Sequence, residues 1–178
     1  MKVGVLFLIL AFTPATLASG FQIGVGGFTP HYAIGPGVHD YCNQIGESDV
    51  IYNRIYYVRV EGQRDALTYM VGYDSICSPI QGAFYTYKVY EGKWFGFGLT
   101  AGGYRFNMPN WIYEENHVPA NEYKVTPVYT KVGNEYFVPV LAAEFNFALV
   151  HADTWSIWFN ALVTPIISNL SLSLKKTF

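Results

Sequence analysis

The residue types needed for acyl transfer occur in two short polar segments of this chain. Asp74 and Ser75 adjoin in YDSICSPIQG, and His31 lies in FTPHYA, with His39 as a second histidine nearby. Acyl transfer needs a hydroxyl, a base whose pKa lies near the working pH, and an acid that orients the base. Aspartate and serine are also the ordinary residues of polar turns. The residue types alone therefore leave a catalytic site and a polar turn both open.

Metal and nucleic-acid chemistry are not indicated. The four histidines lack the spacing of zinc ligands, and the sequence contains no HExxH or CxxC motif. It also lacks a GxSxG nucleophile motif and a phosphate-binding glycine motif. A formal net charge of −2 argues against nucleic acid as a partner. We expect neither a metal nor another cofactor.

The first 20 residues have the pattern of a cleaved secretory signal peptide. Lys2 precedes an apolar run over residues 3–12, and small residues follow in ATLASG. That run is too short for a spanning helix, although an uncleaved anchor is the alternative. We therefore predict one mature domain over residues 21–178. Its two cysteines, Cys42 and Cys77, are expected to form a disulfide in an oxidising compartment, rather than remain free thiols.

The mature sequence favours β-structure in contact with lipid. Aromatic residues make up 18% and charged residues 13% of the chain, against a usual charged share of about 25%. In KWFGFGLTAGG, ALTYMVGYD, FVPVLAAEFNFALV and the C-terminal LSLSLKKTF, apolar residues alternate with small or polar ones. A soluble sandwich would alternate similarly, but the signal peptide, the aromatic content and the terminal Phe178 favour a membrane barrel.

We predict an all-β fold, an eight-stranded antiparallel transmembrane β-barrel of the outer-membrane type. So small an interior excludes a general porin. With a periplasmic N-terminus, Cys42 and Cys77 fall on the same external end. Strict alternation from Ile23 and Val25 would place His31 outward unless Pro30 breaks the register, so His39 remains the alternative base. The predicted strands are residues 21–30, 50–61, 66–74, 80–90, 94–106, 136–149, 154–166 and 169–178.

Several short motifs resemble those of the lipid A palmitoyltransferases (PagP type). The family carries a histidine after Thr-x near the end of its first strand, as FTPHYA does here with Thr29 and His31. Its Asp-Ser pair is followed by Pro-Ile and a glycine, as in DSICSPIQG. WFGFGLTAGG is similar to its glycine-rich strand. YFVPVLAAEF and LVTPI place Pro139 and Pro165 where the family has prolines in its sixth and seventh strands.

The resemblance implies a role for each matching residue. His31 would be the general base, Asp74 its orienting partner and Ser75 the catalytic hydroxyl, either as a nucleophile or by polarising the reacting groups. Pro139 and Pro165 would open gaps between strands that admit lipid to an internal acyl-chain pocket. Phe84 lies near the position of the family's pocket floor, where its ring would shorten or close that pocket.

Two classes of function follow from these observations. One is an acyltransferase of the bacterial outer membrane, a monomer that moves an acyl chain from a phospholipid donor to lipid A or a similar acceptor. The other is a non-catalytic barrel whose external loops, residues 31–49 and 107–135, bind a partner or mask a surface receptor. A purely structural barrel is the third alternative.

Overall fold

The computed structural model describes residues 19–30, 50–73, 79–106, 130–132, 135–164 and 168–178, and these residues form β-strands and turns. No helix among them is long and apolar enough to cross a membrane. In chain order the strands are β1 (Gly20–Pro30), β2 (Val50–Glu61), β3 (Asp65–Tyr73), β4 (Pro79–Glu91), β5 (Phe95–Phe106), β6 (Thr130–Val132), β7 (Glu135–His151), β8 (Trp155–Val163) and β9 (Ser168–Thr177).

Eight of these strands close into an antiparallel ring. Each consecutive pair is bonded from β1 to β5, β5 pairs with β7, and the ring continues through β8 and β9 back to β1. β6 is a three-residue strand that pairs only with the first residues of β7. A closed ring leaves no lipid-exposed sheet edge. The predicted eight-stranded barrel is therefore confirmed, with β6 as an extra strand that the sequence pattern did not predict.

The two ends of the barrel are built differently. Short turns join β2 to β3, β4 to β5 and β7 to β8, each closed by a backbone hydrogen bond such as Gly62 N to Asp65 O at 2.8 Å. We call this the turn end. The backbone N–H of Phe178 donates to Ser19 O there, at 3.1 Å, so both ends of the described chain meet at the turn end. The opposite end, where β1 ends and β4 begins, is the loop end.

The outer surface of the barrel is apolar, as the alternation predicts. On β1, Ile23 and Val25 are exposed whereas Gln22 is buried, and on β9, Leu172 and Leu174 are exposed whereas Ser173 is buried. The same division holds on the other strands, so aliphatic and aromatic side chains face outward around the ring. Such a surface is stable only in contact with lipid, which makes this a transmembrane barrel of the outer-membrane type.

The interior divides into two halves along the barrel axis. The half toward the turn end is ionic and polar; its charged residues, which we call the ionic layer, are Arg59, Glu61, Lys88, Glu91, Glu144 and Lys175. The half toward the loop end, which we call the apolar half, has apolar inward-facing side chains on β2, β3, β4 and β7: Ile55, Met70, Ile80, Phe84, Tyr136 and Ala142. On β9 its inward positions are polar, and a Cβ added to Gly26 would lie 3.1 Å from Asn169 Oδ1 and 3.4 Å from Ser171 Cβ.

Candidate functional site

The residues predicted to be catalytic adjoin the loop end. His31, Asp74 and Ser75 lie outside the described residues, as do His39, Cys42, Cys77 and Pro165. The described strands next to them are β1, which ends at Pro30, and β3, which ends at Tyr73. Because only β2 separates β1 from β3, the two strands lie about 10 Å apart. The catalytic roles and the disulfide remain predictions.

The register of β1 shifts before the predicted histidine. Gly26 pairs with Ile55 and Ser171, but Phe28 pairs with Tyr52 and Leu170. The strand therefore has an irregularity between Gly26 and Phe28. Pro30 itself pairs with Val50. The choice between His31 and His39 as the base stays a prediction.

Phe84 lies inside the barrel and belongs to the apolar half. It is 7% exposed, whereas its neighbour Ala83 faces outward. Phe84 pairs with Gly102 on β5, and a Cβ added to Gly102 would lie 2.9 Å from Cδ1 of the Phe84 ring. The ring thus occupies lumen space that the glycine leaves free. Thr86, two residues further along the same face, already belongs to the polar half.

Pro139 lies in a stretch of β7 that has no pairing partner on one side among the described residues. β6 pairs with β7 as far as Phe137, and β8 pairs with β7 from Ala143 onward. Among the described residues nothing pairs with residues 138–142 on this side, and we call these residues the β7 window. Pro139 has no N–H to contribute to a ladder, so its position suits a strand without a neighbour on one side. Leu141 of the window is 74% exposed.

The predicted gap at Pro165 has a different outcome. The sequence pattern extended the seventh predicted strand to residue 166, but β8 ends at Val163 and β9 begins at Ser168. Pro165 therefore belongs to the connection between these strands, outside the described residues, and its role as a gap in the wall stays a prediction.

Glu144 is the centre of the ionic layer. Its Oε1 accepts a hydrogen bond from Arg59 Nη1 at 2.6 Å and one from Asn146 Nδ2 at 3.0 Å. Its Oε2 accepts from the hydroxyls of Thr86 and Thr100 at 3.0 and 2.9 Å. A buried carboxylate is stable only when it is paired and hydrogen-bonded, and both oxygens of Glu144 meet that condition.

The ionic layer continues from Arg59 to the turn end. Arg59 Nε lies 2.7 Å from Glu61 Oε1, and Lys88 contacts the other oxygen of Glu61. Glu91 then bridges two ammonium groups, Lys88 at 2.8 Å and Lys175 at 2.6 Å. Positive and negative groups thus alternate across the lumen and link β2, β4, β7 and β9. A cavity of about 30 Å³ among them has room for about one water molecule.

Sequence reasoning did not identify the ionic layer as a unit. The alternation of apolar with small or polar residues in FVPVLAAEFNFALV predicts an inward position for Glu144, and that position is confirmed. Charged residues occur at inward positions of several strands, and this was the signal available in the sequence. Such side chains are expected to meet, because an eight-stranded barrel has an interior just wide enough for side chains. Because each of its carboxylates has a cationic partner, this layer stabilises the barrel and offers no free acid or base.

The glycines of β1 make room for polar contacts above this layer. A Cβ added to Gly24 would lie 2.1 Å from Cζ of the Tyr57 ring, so a larger residue here would displace that ring. The Tyr57 hydroxyl in turn accepts a hydrogen bond from Asn160 Nδ2 at 3.1 Å. Glycine at position 24 therefore leaves the space that the Tyr57 ring occupies.

Comparison with known proteins gives little beyond the fold. No protein-family model matches the chain, and no curated protein sequence matches it significantly. The N-terminal β-barrel domain of Pseudomonas aeruginosa OprF is 9% identical, with 90% of this chain and 98% of that chain covered and a TM-score of 0.42. Ail, the attachment invasion locus protein of Yersinia pestis, solved with the heparin analogue sucrose octasulfate, is 9% identical, with 89% and 97% covered and a TM-score of 0.33. The fold described above rests on the strand pairing of this chain itself.

Proposed function

We propose that the protein is an acyltransferase of the bacterial outer membrane that moves an acyl chain from a phospholipid to lipid A or a similar acceptor. The observation that carries this proposal is the division of the lumen. An apolar half adjoins the loop end, where the strands lead to the candidate catalytic residues. Burial of each methylene of a hydrocarbon chain contributes about 0.8 kcal/mol of favourable transfer free energy. The apolar half therefore suits an acyl chain, and the ionic layer does not.

The β7 window supplies a route for that chain. It lies in the part of the wall that surrounds the apolar half, and its inward positions are occupied by Val138, Val140 and Ala142. A lipid in the bilayer could pass its chain between β7 and β8 without crossing the ionic layer. Pro139 supports this route because the absent N–H lowers the cost of an unpaired strand in lipid.

The proposed chemistry uses the three residues that the family resemblance implies. A hydroxyl oxygen, of Ser75 or of the acceptor, bonds to the acyl carbonyl carbon while His31 takes the hydroxyl proton. Asp74 orients the imidazole and stabilises its charged form. The bond to the lysophospholipid oxygen then breaks, and His31 returns the proton to that oxygen. Where Ser75 is the nucleophile, a second step follows: the acceptor hydroxyl loses its proton to His31 and bonds to the acyl carbon, the bond to Ser75 Oγ breaks, and His31 returns the proton to Oγ. No cofactor is needed for this sequence of steps.

The second candidate function is a non-catalytic barrel whose loop-end segments bind a partner. The ionic layer favours this candidate. Its carboxylates are all paired and its ion pairs link strands across the lumen, and a closed barrel held in this way suits the display of binding loops. Lipid A modification separates the two candidates, since only the acyltransferase changes the mass of the lipid.

The test is expression in a Gram-negative host that lacks its own palmitoyltransferase, followed by mass spectrometry of lipid A. We expect an added acyl mass with the wild type and none with His31→Ala, Asp74→Asn or Ser75→Ala. His151→Ala and Asp153→Asn are matched controls, because both residues are exposed at the turn end, and they should leave the added mass unchanged.

Folding of each variant is checked by the shift in gel mobility between heated and unheated samples. Unmodified lipid A in cells that contain folded wild-type barrel would refute the acyltransferase and leave the binding barrel.

A further inference from the structure

An exposed ion pair lies on the outer surface near the loop end. Arg105 Nη1 donates to both carboxylate oxygens of Glu135, each at 2.8 Å, and Arg105 Nη2 donates to Gln81 Oε1 at 2.6 Å. The Arg105 and Glu135 side chains are 47% and 45% exposed. All three residues lie at outward positions of their strands, so the cluster faces the surroundings of the barrel and not the lumen.

The position of this cluster corresponds to the head-group level of the membrane. Below Arg105 the outward positions of β5 are apolar, from Gly103 down to Phe95. They span about 26 Å along the strand, or about 20 Å along the barrel axis at a tilt of about 40°. Arg105 is thus the first charged outward residue above the apolar band of this strand, where lipid phosphates begin.

The cluster also adjoins the β7 window. Arg105 pairs with Phe137, and Gly103 pairs with Pro139 of the window. Arg105 therefore lies two residues along β5 from the residue that pairs with Pro139. A lipid whose head group contacts Arg105 therefore has its acyl chains next to Pro139 and Leu141 of the β7 window.

Contacts with the described residues leave part of the hydrogen-bonding capacity of the ion pair unused, for both donors and acceptors. A guanidinium has five N–H donors, and contacts within the described residues use three of those of Arg105. A carboxylate accepts at about four positions, and Glu135 receives two hydrogen bonds from Arg105. The remaining donors suit a phosphate, and the remaining acceptors suit an ammonium group.

We infer that Arg105 and Glu135 bind the head group of a zwitterionic phospholipid, with its phosphate on Arg105 and its amine on Glu135. This inference rests on the proposed function in that the bound lipid is the acyl donor. An anionic phospholipid without an amine places no cation against Glu135 and leaves the carboxylate facing the negative head group. Discrimination therefore comes from Glu135, and affinity for any phospholipid comes from Arg105.

The experiment measures lipid retention rather than turnover. Purified barrel is mixed with equal amounts of phosphatidylethanolamine and phosphatidylglycerol that carry identical acyl chains, and bound lipids are counted by native mass spectrometry. We expect the wild type to favour phosphatidylethanolamine about two- to fivefold, the size of an exposed charge contact. Glu135→Gln should bring that ratio to about one, whereas Arg105→Gln should lower retention of both lipids.

Lys176→Gln is the matched control, because Lys176 is an exposed, outward-facing cation at the turn end. It should leave the lipid ratio unchanged. Equal retention of both lipids by the wild type, or an unchanged ratio in Glu135→Gln, would overturn the inference. Ser75→Ala should keep the wild-type preference, so loss of acyl transfer alone bears on the proposed function and not on this site.

Discussion

Removal of the Glu144 carboxylate should destabilise the barrel more than any change on its surface. Glu144→Ala leaves Arg59 with Glu61 as its remaining carboxylate, and it deprives Thr86, Thr100 and Asn146 of their acceptor. Breaking a buried ion pair by removing one partner costs about 3–5 kcal/mol. The same cost applies here because Glu61 is already shared with Lys88, so three buried cations then face two carboxylates, Glu61 and Glu91. We expect Glu144→Ala to lower the free energy of unfolding by that amount.

The matched control is the exposed pair on the outer surface. Glu135→Ala removes the same kind of side chain from Arg105, but both partners are about half exposed, and exposed pairs contribute about 0–1 kcal/mol.

A third variant replaces both buried partners, Arg59→Met with Glu144→Leu. It should be less destabilised than Glu144→Ala, because no unpaired charge remains between these two positions.

The assay is urea-induced unfolding of the barrel in lipid vesicles, followed by tryptophan fluorescence. If Glu144→Ala and Glu135→Ala lose equal stability, the ionic layer is hydrated enough to screen its charges, and the reasoning from burial is wrong. If the double variant is as unstable as Glu144→Ala, packing of the side chains and not charge pairing holds this half of the barrel.

Three further predictions concern the lumen and the loop end. Gly24→Ala should lower the free energy of unfolding by about 1–3 kcal/mol, because the added methyl group overlaps the Tyr57 ring. Gly26→Ala should lower it less in the same urea titration, because the nearest atom to its methyl group is Asn169 Oδ1 at 3.1 Å. Phe84→Ala should enlarge the apolar half, so the acyl mass added to lipid A should increase relative to that of the wild type; an unchanged mass would mean that the ring does not limit the chain. Cys42 and Cys77 should be joined, so a non-reducing gel with a thiol-reactive label should show no free thiol, and labelling of both would exclude the disulfide.

Much of the fold could be predicted because strand alternation has a period of two. Apolar residues at every second position, as at Leu170, Leu172 and Leu174, determine which face of a strand contacts lipid. The number of such segments predicted the eight ring strands. Strand ends were less accurate, as at β7, which was predicted over residues 136–149 and spans Glu135–His151, because alternation in a short segment does not indicate where pairing with the neighbour stops.

The candidate catalytic residues are known only from the sequence. His31, Asp74 and Ser75 were selected by residue type and by the motifs around them, and their arrangement stays a prediction. The structure adds features of the described strands near the loop end: the apolar half, the β7 window and the position of Phe84 inside the lumen.

The sequence by itself determined the class of fold, the lipid-facing surface and the inward position of residues such as Glu144. Each of these is a property of single strands, and single strands are encoded locally. Only the tertiary structure decided that Glu144 meets Arg59, 85 residues away in the chain, and that the register of β1 shifts between Gly26 and Phe28. Contacts across a lumen depend on strand order and stagger, and these are fixed only when the ring closes.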